Sequence, residues 1–188
     1  MKKLTYSSLL LFALAGVVMI GCKGKEKLPK GEKEVNIPCS GTDYFTNNKF
    51  FRANSLGESS DLRVSKEKAM TNARAELAAS IQSTVKTVTD NYVNSREFNN
   101  KEDLEERFEQ LNRTVVEQTL SGIKMICEKQ VQVDGGGYRT YVAIELSASD
   151  IVQKYNENLS QDQRLKIDYD YEKFKETFDK EMEKMSNK

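Results

Sequence analysis

Few side chains in this chain carry nucleophilic or redox chemistry: there are three cysteines, Cys22, Cys39 and Cys127, and no histidine. Without imidazole there is no Ser-His-Asp or Cys-His pair, no histidine-ligated zinc and no histidine acid-base catalysis. Carboxylates are plentiful, and the tightest groups are Asp168 with Asp170 and Glu102, Asp103, Glu105 and Glu106. Each group sits in a lysine-rich, solvated setting that does not raise a carboxyl pKa toward general-acid work. Asp168 and Asp170 also lack the oxygen spacing of a calcium loop. Gly135, Gly136 and Gly137 precede neither a Lys-Ser/Thr pair nor a helix, so they read as a hairpin turn and not as a phosphate loop. The expectation is no catalytic residue, no metal and no cofactor.

Cys22 has a different setting. Lys2 and Lys3 form a basic start, Leu9 to Ile20 an apolar run, and the run ends in Met19-Ile20-Gly21-Cys22. This arrangement resembles a bacterial lipoprotein signal with its lipobox. The resemblance implies a diacylglyceryl thioether on Cys22, cleavage between Gly21 and Cys22, and frequent acylation of the new amine. A cysteine suits the position because its thiolate is the nucleophile that takes the lipid. Two or three acyl chains anchor stably, at about 0.8 kcal/mol per buried CH2. The apolar run is shorter than the roughly 20 residues a membrane-spanning helix needs.

Residues 1–21 thus read as a signal peptide. Its removal leaves 27 basic and 29 acidic residues, a net charge of about −2, with no broad basic surface for nucleic acid. Residues 22–43 read as the lipidated terminus and a charged tether. Its lysine-rich part, Lys23 to Glu34, is a solvated linker, a contact for anionic headgroups or a sorting signal. The expected address is the bacterial cell envelope, lipid-anchored at the outer membrane, on its periplasmic face or the cell surface. In such an oxidising compartment a Cys39–Cys127 bond is permitted, and it would pin the tether's end to a strand pair. A free Cys127 buried on an apolar strand face is the alternative, because spacing alone carries no geometry.

The elements that position these residues follow from periodicity. Thr46 to Ser55 alternates as a first strand, Gly57 supplies a turn, and Ser59, Ser60 or Asp61 can cap a helix. Ala69, Ala73, Leu77, Ile81, Val85, Val88 and Tyr92 recur every three or four residues and line one face of that long helix. A second helix follows a polar break, capped by Asn99 or Asn100, with Leu104, Phe108, Leu111, Val115 and Thr119 as its stripe. Beyond Gly122 the period becomes two: Ile123, Met125, Cys127, Lys129, Val131 and Val133 share one strand face. After the glycine turn, Thr140, Val142, Ile144 and Leu146 share a face of the next strand. Ser147 or Ser149 opens a helix through Ile151, Val152, Tyr155 and Leu159. In the charged tail, Phe174, Phe178, Met182 and Met185 form a last helical stripe that either packs back or is offered to a partner helix.

The stretch Phe51-Arg52-Ala53-Asn54-Ser55-Leu56-Gly57-Glu58-Ser59-Ser60-Asp61-Leu62, followed by Ala69 and by Ala73-Arg74-Ala75-Glu76-Leu77-Ala78, resembles the LPP20-like lipoprotein family and the amino-terminal domain of a flagellar ring protein. The resemblance covers roughly Thr46 to Leu146. It implies an α+β domain in which a long helix packs on a three-stranded antiparallel sheet, dodecin-like. The additional helices after Tyr92 and at the C-terminus are read from periodicity. The helical insert after Tyr92 departs from the family's pattern, as does the lack of an aromatic residue next to Gly57. The resemblance implies no catalytic residue. The organisation expected is residues 44–159 as this domain and 160–188 as a charged C-terminal helix. With the lipobox it points to a non-enzymatic structural, assembly or interaction role, with an envelope protein partner or a second copy of the chain. The alternative is a small-ligand-binding lipoprotein with an apolar site between helix and sheet, using Phe50, Phe51, Tyr138 and Tyr141.

Overall fold

The computed structural model describes residues 29, 31–33, 35–95, 101–161 and 169–186. The apolar run, Cys22, most of the charged tether, Asn99, Asn100 and Asp168 lie outside the described residues. The chain divides into Met1–Val35 and Asn36–Lys188, and the sheet and helices below belong to the second unit.

Three strands, β1 (Phe50–Ser59), β2 (Lys124–Gln132) and β3 (Tyr138–Ser147), form an antiparallel sheet in the order β1-β3-β2. Among the described residues four α-helices accompany them: α1 (Leu62–Asn94), α2 (Lys101–Thr119), α3 (Ala148–Gln161) and α4 (Tyr171–Ser186). The fold is α+β, with the long α1 packed on the sheet and further helices after it and at the C-terminus.

The α1 stripe is the floor of the core. Ala69, Ala73, Leu77, Ile81, Val85 and Val88 are fully buried, and Asp61 caps the helix by accepting from the Val64 backbone N–H at 3.0 Å. Opposite this stripe stand Phe51 and Ala53 of β1 and Val142, Ile144 and Leu146 of β3. At 33 residues α1 is about 50 Å long and outruns the sheet. Its far end is packed by helices instead. Tyr92 meets Phe108 of α2 and Phe174 of α4 edge-on, and Tyr155 of α3 lies 4.9 Å from Phe174. Phe174, Phe178 and Met182 are buried in the same core as Phe51 and Leu77, so the C-terminal helix packs back on the domain.

Three local expectations are corrected. The strand expected from Thr46 begins only at Phe50 and runs on to Ser59, so Gly57 lies inside β1 and not in a turn. Gly57 instead marks the crossing with α1, where a Cβ would stand 2.1 Å from the Ser65 carbonyl oxygen. Met125 and Cys127 do not share a face. The register shifts by one residue between them, so Met125 pairs with Ile144 and Cys127 with Ala143, and the inserted residue turns everything after it over.

The two faces of the sheet have different covers. Cys39 is joined to Cys127 on β2, while Thr46 flanks the open edge of β1, donating to the Arg52 carbonyl and accepting from its N–H. The chain between them therefore crosses the face opposite α1, over β3, where Ala143 is fully buried. The same β1 edge is blocked further along by Asn72, which donates to the Leu56 carbonyl, and Lys68, which donates to that of Glu58. An edge plugged by side chains is a poor template for another strand.

Candidate functional site

The described residues form a cleft of about 650 Å³ at the margin of the core. It lies between α3 and α4, which touch through Tyr155 and Phe174, at the end of the sheet where β1 begins and β3 ends. Ala148, Val152 and Gln153 of α3 form one wall, and Tyr171, Lys175 and Phe178 of α4 the other. Lys49 and Phe50 lie across the end. The Lys49 carbonyl accepts from the Ala148 backbone N–H at 2.9 Å, which ties the start of α3 to the start of β1.

The cleft has a defined electrostatic pattern. Lys175 is paired with Asp179 one turn on, and this hydrogen bond raises its pKa above the ordinary lysine value. The Arg52 guanidinium lies 5.3 Å from the Phe50 ring centroid and is paired with Glu145 at 3.0 Å. Lys49 makes no ion pair with any described residue and is exposed. The lining is mixed, with Asn48, Ser149, Gln153 and Asn156 beside Phe50, Ala148, Val152 and Phe178, and an unpaired lysine on such a lining is suited to an anion with a partly apolar body.

The four aromatic residues expected to share a site are dispersed. Phe51 is fully buried beneath α1 and Phe50 points to the opposite face, as neighbours on a strand must. Phe50 pairs with Ser147 and Tyr138 with Ser59, at opposite ends of the sheet and about 30 Å apart. Tyr141 stands on the outer face opposite Leu56. The layer between α1 and the sheet is filled by core side chains. Of the four, only Phe50 reaches the cleft.

Cys39 and Cys127 are bonded, with S–S 2.08 Å and Cα–Cα 5.6 Å. The acidic positions have local structural partners: Asp103 pairs with Arg107, and Asp170 caps α4 by accepting from the Lys173 N–H. The exposed carboxylates Glu102, Glu105 and Glu106 line a shallow groove beside Asp90. No group of three metal-ligating side chains is present among the described residues.

No protein-family model matches the chain, and no curated protein matches it. Among the described residues, no helix is long and apolar enough to cross a membrane.

Lys49, Gln153, Tyr171 and Lys175 did not stand out in the sequence as site residues. They come from separate stretches of chain, and none belongs to a motif. The nearest signal was Phe50, an aromatic residue on the polar side of its strand.

Proposed function

We propose that this protein is a lipid-anchored bacterial envelope protein of LPP20-like type, with a non-enzymatic structural, assembly or interaction role. The observation that carries the reading is the apolar run closing on Gly21-Cys22, which supplies a lipid site at the head of a charged tether. Two features support it. A Cys39–Cys127 disulfide suits an exported, oxidising location, and the chain lacks histidine. In this reading Cys22 holds the lipid, the outer membrane is the address, and Cys39 is the point where the tether meets the folded unit. The domain then presents its surface to an envelope protein or to a second copy, without nucleic acid.

The test is fractionation of cells expressing the natural chain or Cys22→Ala. The natural protein is expected in the membrane fraction and the variant in the soluble or precursor pool. Equal distribution of the two would contradict the anchor. Proteinase accessibility on intact cells, with crosslinking, reports the membrane face and the neighbours together.

The cleft between α3 and α4 favours a second reading, a small-ligand-binding envelope lipoprotein. Its site is then at the end of the sheet and not between α1 and the sheet, where core side chains fill the space.

A further inference from the structure

We infer that the α3–α4 cleft binds a small organic anion with an aromatic or apolar body, its acid group held at Lys49. The inference rests on the second reading above and assigns its site and ligand class.

Size is the first argument. At about 650 Å³ the cleft is within the range of small-molecule sites, roughly 300–1,000 Å³. Chemistry is the second. Val152 and Phe178, almost wholly buried, form the apolar base of the cleft, and the partly exposed Phe50 and Tyr171 side chains at its lining offer a surface for a flat apolar group. Charge is the third. Lys175 is already neutralised by Asp179 and Arg52 by Glu145, which leaves Lys49 as the cation at the cleft without a described carboxylate partner. An anionic ligand completes that pairing, whereas a cation would meet an unneutralised ammonium. The walls are also held in place: Tyr155 against Phe174 joins the two helices, and the Lys49 carbonyl to Ala148 N–H bond fixes the end. The cleft therefore does not have to be ordered when a ligand arrives, a cost that otherwise subtracts from affinity.

The test uses the chain from residue 22 with Cys22→Ser, titrated with 3-phenylpropionate and with 3-phenylpropan-1-ol and followed by amide chemical shifts. The carboxylate is expected to shift the amides of Lys49, Ser149, Gln153 and Tyr171 with a dissociation constant of about 1 mM or below, the range of a fragment this size. The alcohol is expected to bind about threefold more weakly, as loss of one exposed charge pairing predicts. Lys49→Gln should abolish that difference and Lys49→Arg should keep it. Asn156→Trp, at an exposed position on the cleft, should block both compounds without lowering the melting temperature. Equal binding of acid and alcohol, indifference to Asn156→Trp, or no shift at about 5 mM would overturn the assignment. Shifts mapping elsewhere on the domain would overturn it while leaving the ligand-binding reading intact. That wider reading fails separately, if native mass spectrometry of protein from its own cells finds no bound small molecule.

Discussion

Gly57 lies against Ser65 so closely that a Cβ on the glycine would stand 2.1 Å from the Ser65 carbonyl oxygen and 2.5 Å from the Ala69 backbone nitrogen. Both are helix backbone atoms, which cannot rotate aside. The absent side chain therefore sets the distance of α1 from the sheet. The buried Ser65 and Thr140 hydroxyls share a hydrogen bond at 2.7 Å across the same interface.

Gly57→Ala is expected to destabilise the domain by about 3 kcal/mol, the upper range of overpacking, because helix and strand must separate. Gly135→Ala, at a turn with φ 87° and nothing within 4 Å, should cost only about 1 kcal/mol through backbone strain. Urea unfolding of the two variants measures the contrast. Equal losses would mean that the crossing is not tight.

The Cys39–Cys127 bond links residues 88 apart and holds the covering segment across the sheet. By loop-closure entropy, the Cys39→Ser/Cys127→Ser variant should lose about 4 kcal/mol. Faster hydrogen exchange is expected at Ala143, which that segment buries. Peptide mapping without reductant should recover the linked peptides, and free thiols at both positions in the native protein would contradict the covering.

Tyr155 donates to the Asn112 Oδ1, while the Asn112 amide donates to the Thr89 hydroxyl at 3.2 Å, all within the helical part of the core. Tyr155→Phe leaves a buried carbonyl without its donor and should cost about 1–3 kcal/mol. Replacing both partners, Tyr155→Phe with Asn112→Leu, should cost less than the sum of the two single changes. Additive losses in thermal unfolding would show that the bond contributes no coupling.

Burial raises the Tyr155 pKa well above 10.0, and it raises that of the half-buried Tyr169 as well. Below about pH 9 the folded and unfolded states both hold these protons, and stability should not depend on them. Above about pH 10 the unfolded chain releases protons that the folded chain keeps, so stability should fall as pH rises, by up to about 1.4 kcal/mol per pH unit for Tyr155. Tyr169, whose hydroxyl is buried without a hydrogen-bond partner among the described residues, should act in the same direction. Melting temperatures across this window check the direction, and Tyr155→Phe should flatten the decline.

What could be read from the sequence was whatever one local rule decides. Ala69 to Tyr92 form a single stripe with no competing period, and Thr140, Val142, Ile144 and Leu146 alternate without interruption; both sets are buried as their spacing predicts. Met125 and Cys127 were legible as strand but not as opposite faces, because the inserted residue leaves no mark in composition. Gly57 was ambiguous for a different reason: a glycine required by a turn and one required by a close crossing look the same. Phe50 and Phe51 share a residue type but not a face, because adjacent strand residues face apart. The cleft could not be read at all, since Lys49, Gln153 and Lys175 meet only after α3 and α4 have packed. Cys39 and Cys127 could be paired from an oxidising address but not from their spacing.

The central claim, lipid anchoring at Cys22, is tested most directly by mass spectrometry of the protein extracted from the membranes of its own cells. The account predicts a mature chain that begins at Cys22, its sulfur carrying a diacylglyceryl group. A chain that retains residues 1–21, or one with an unmodified Cys22 thiol, would contradict it.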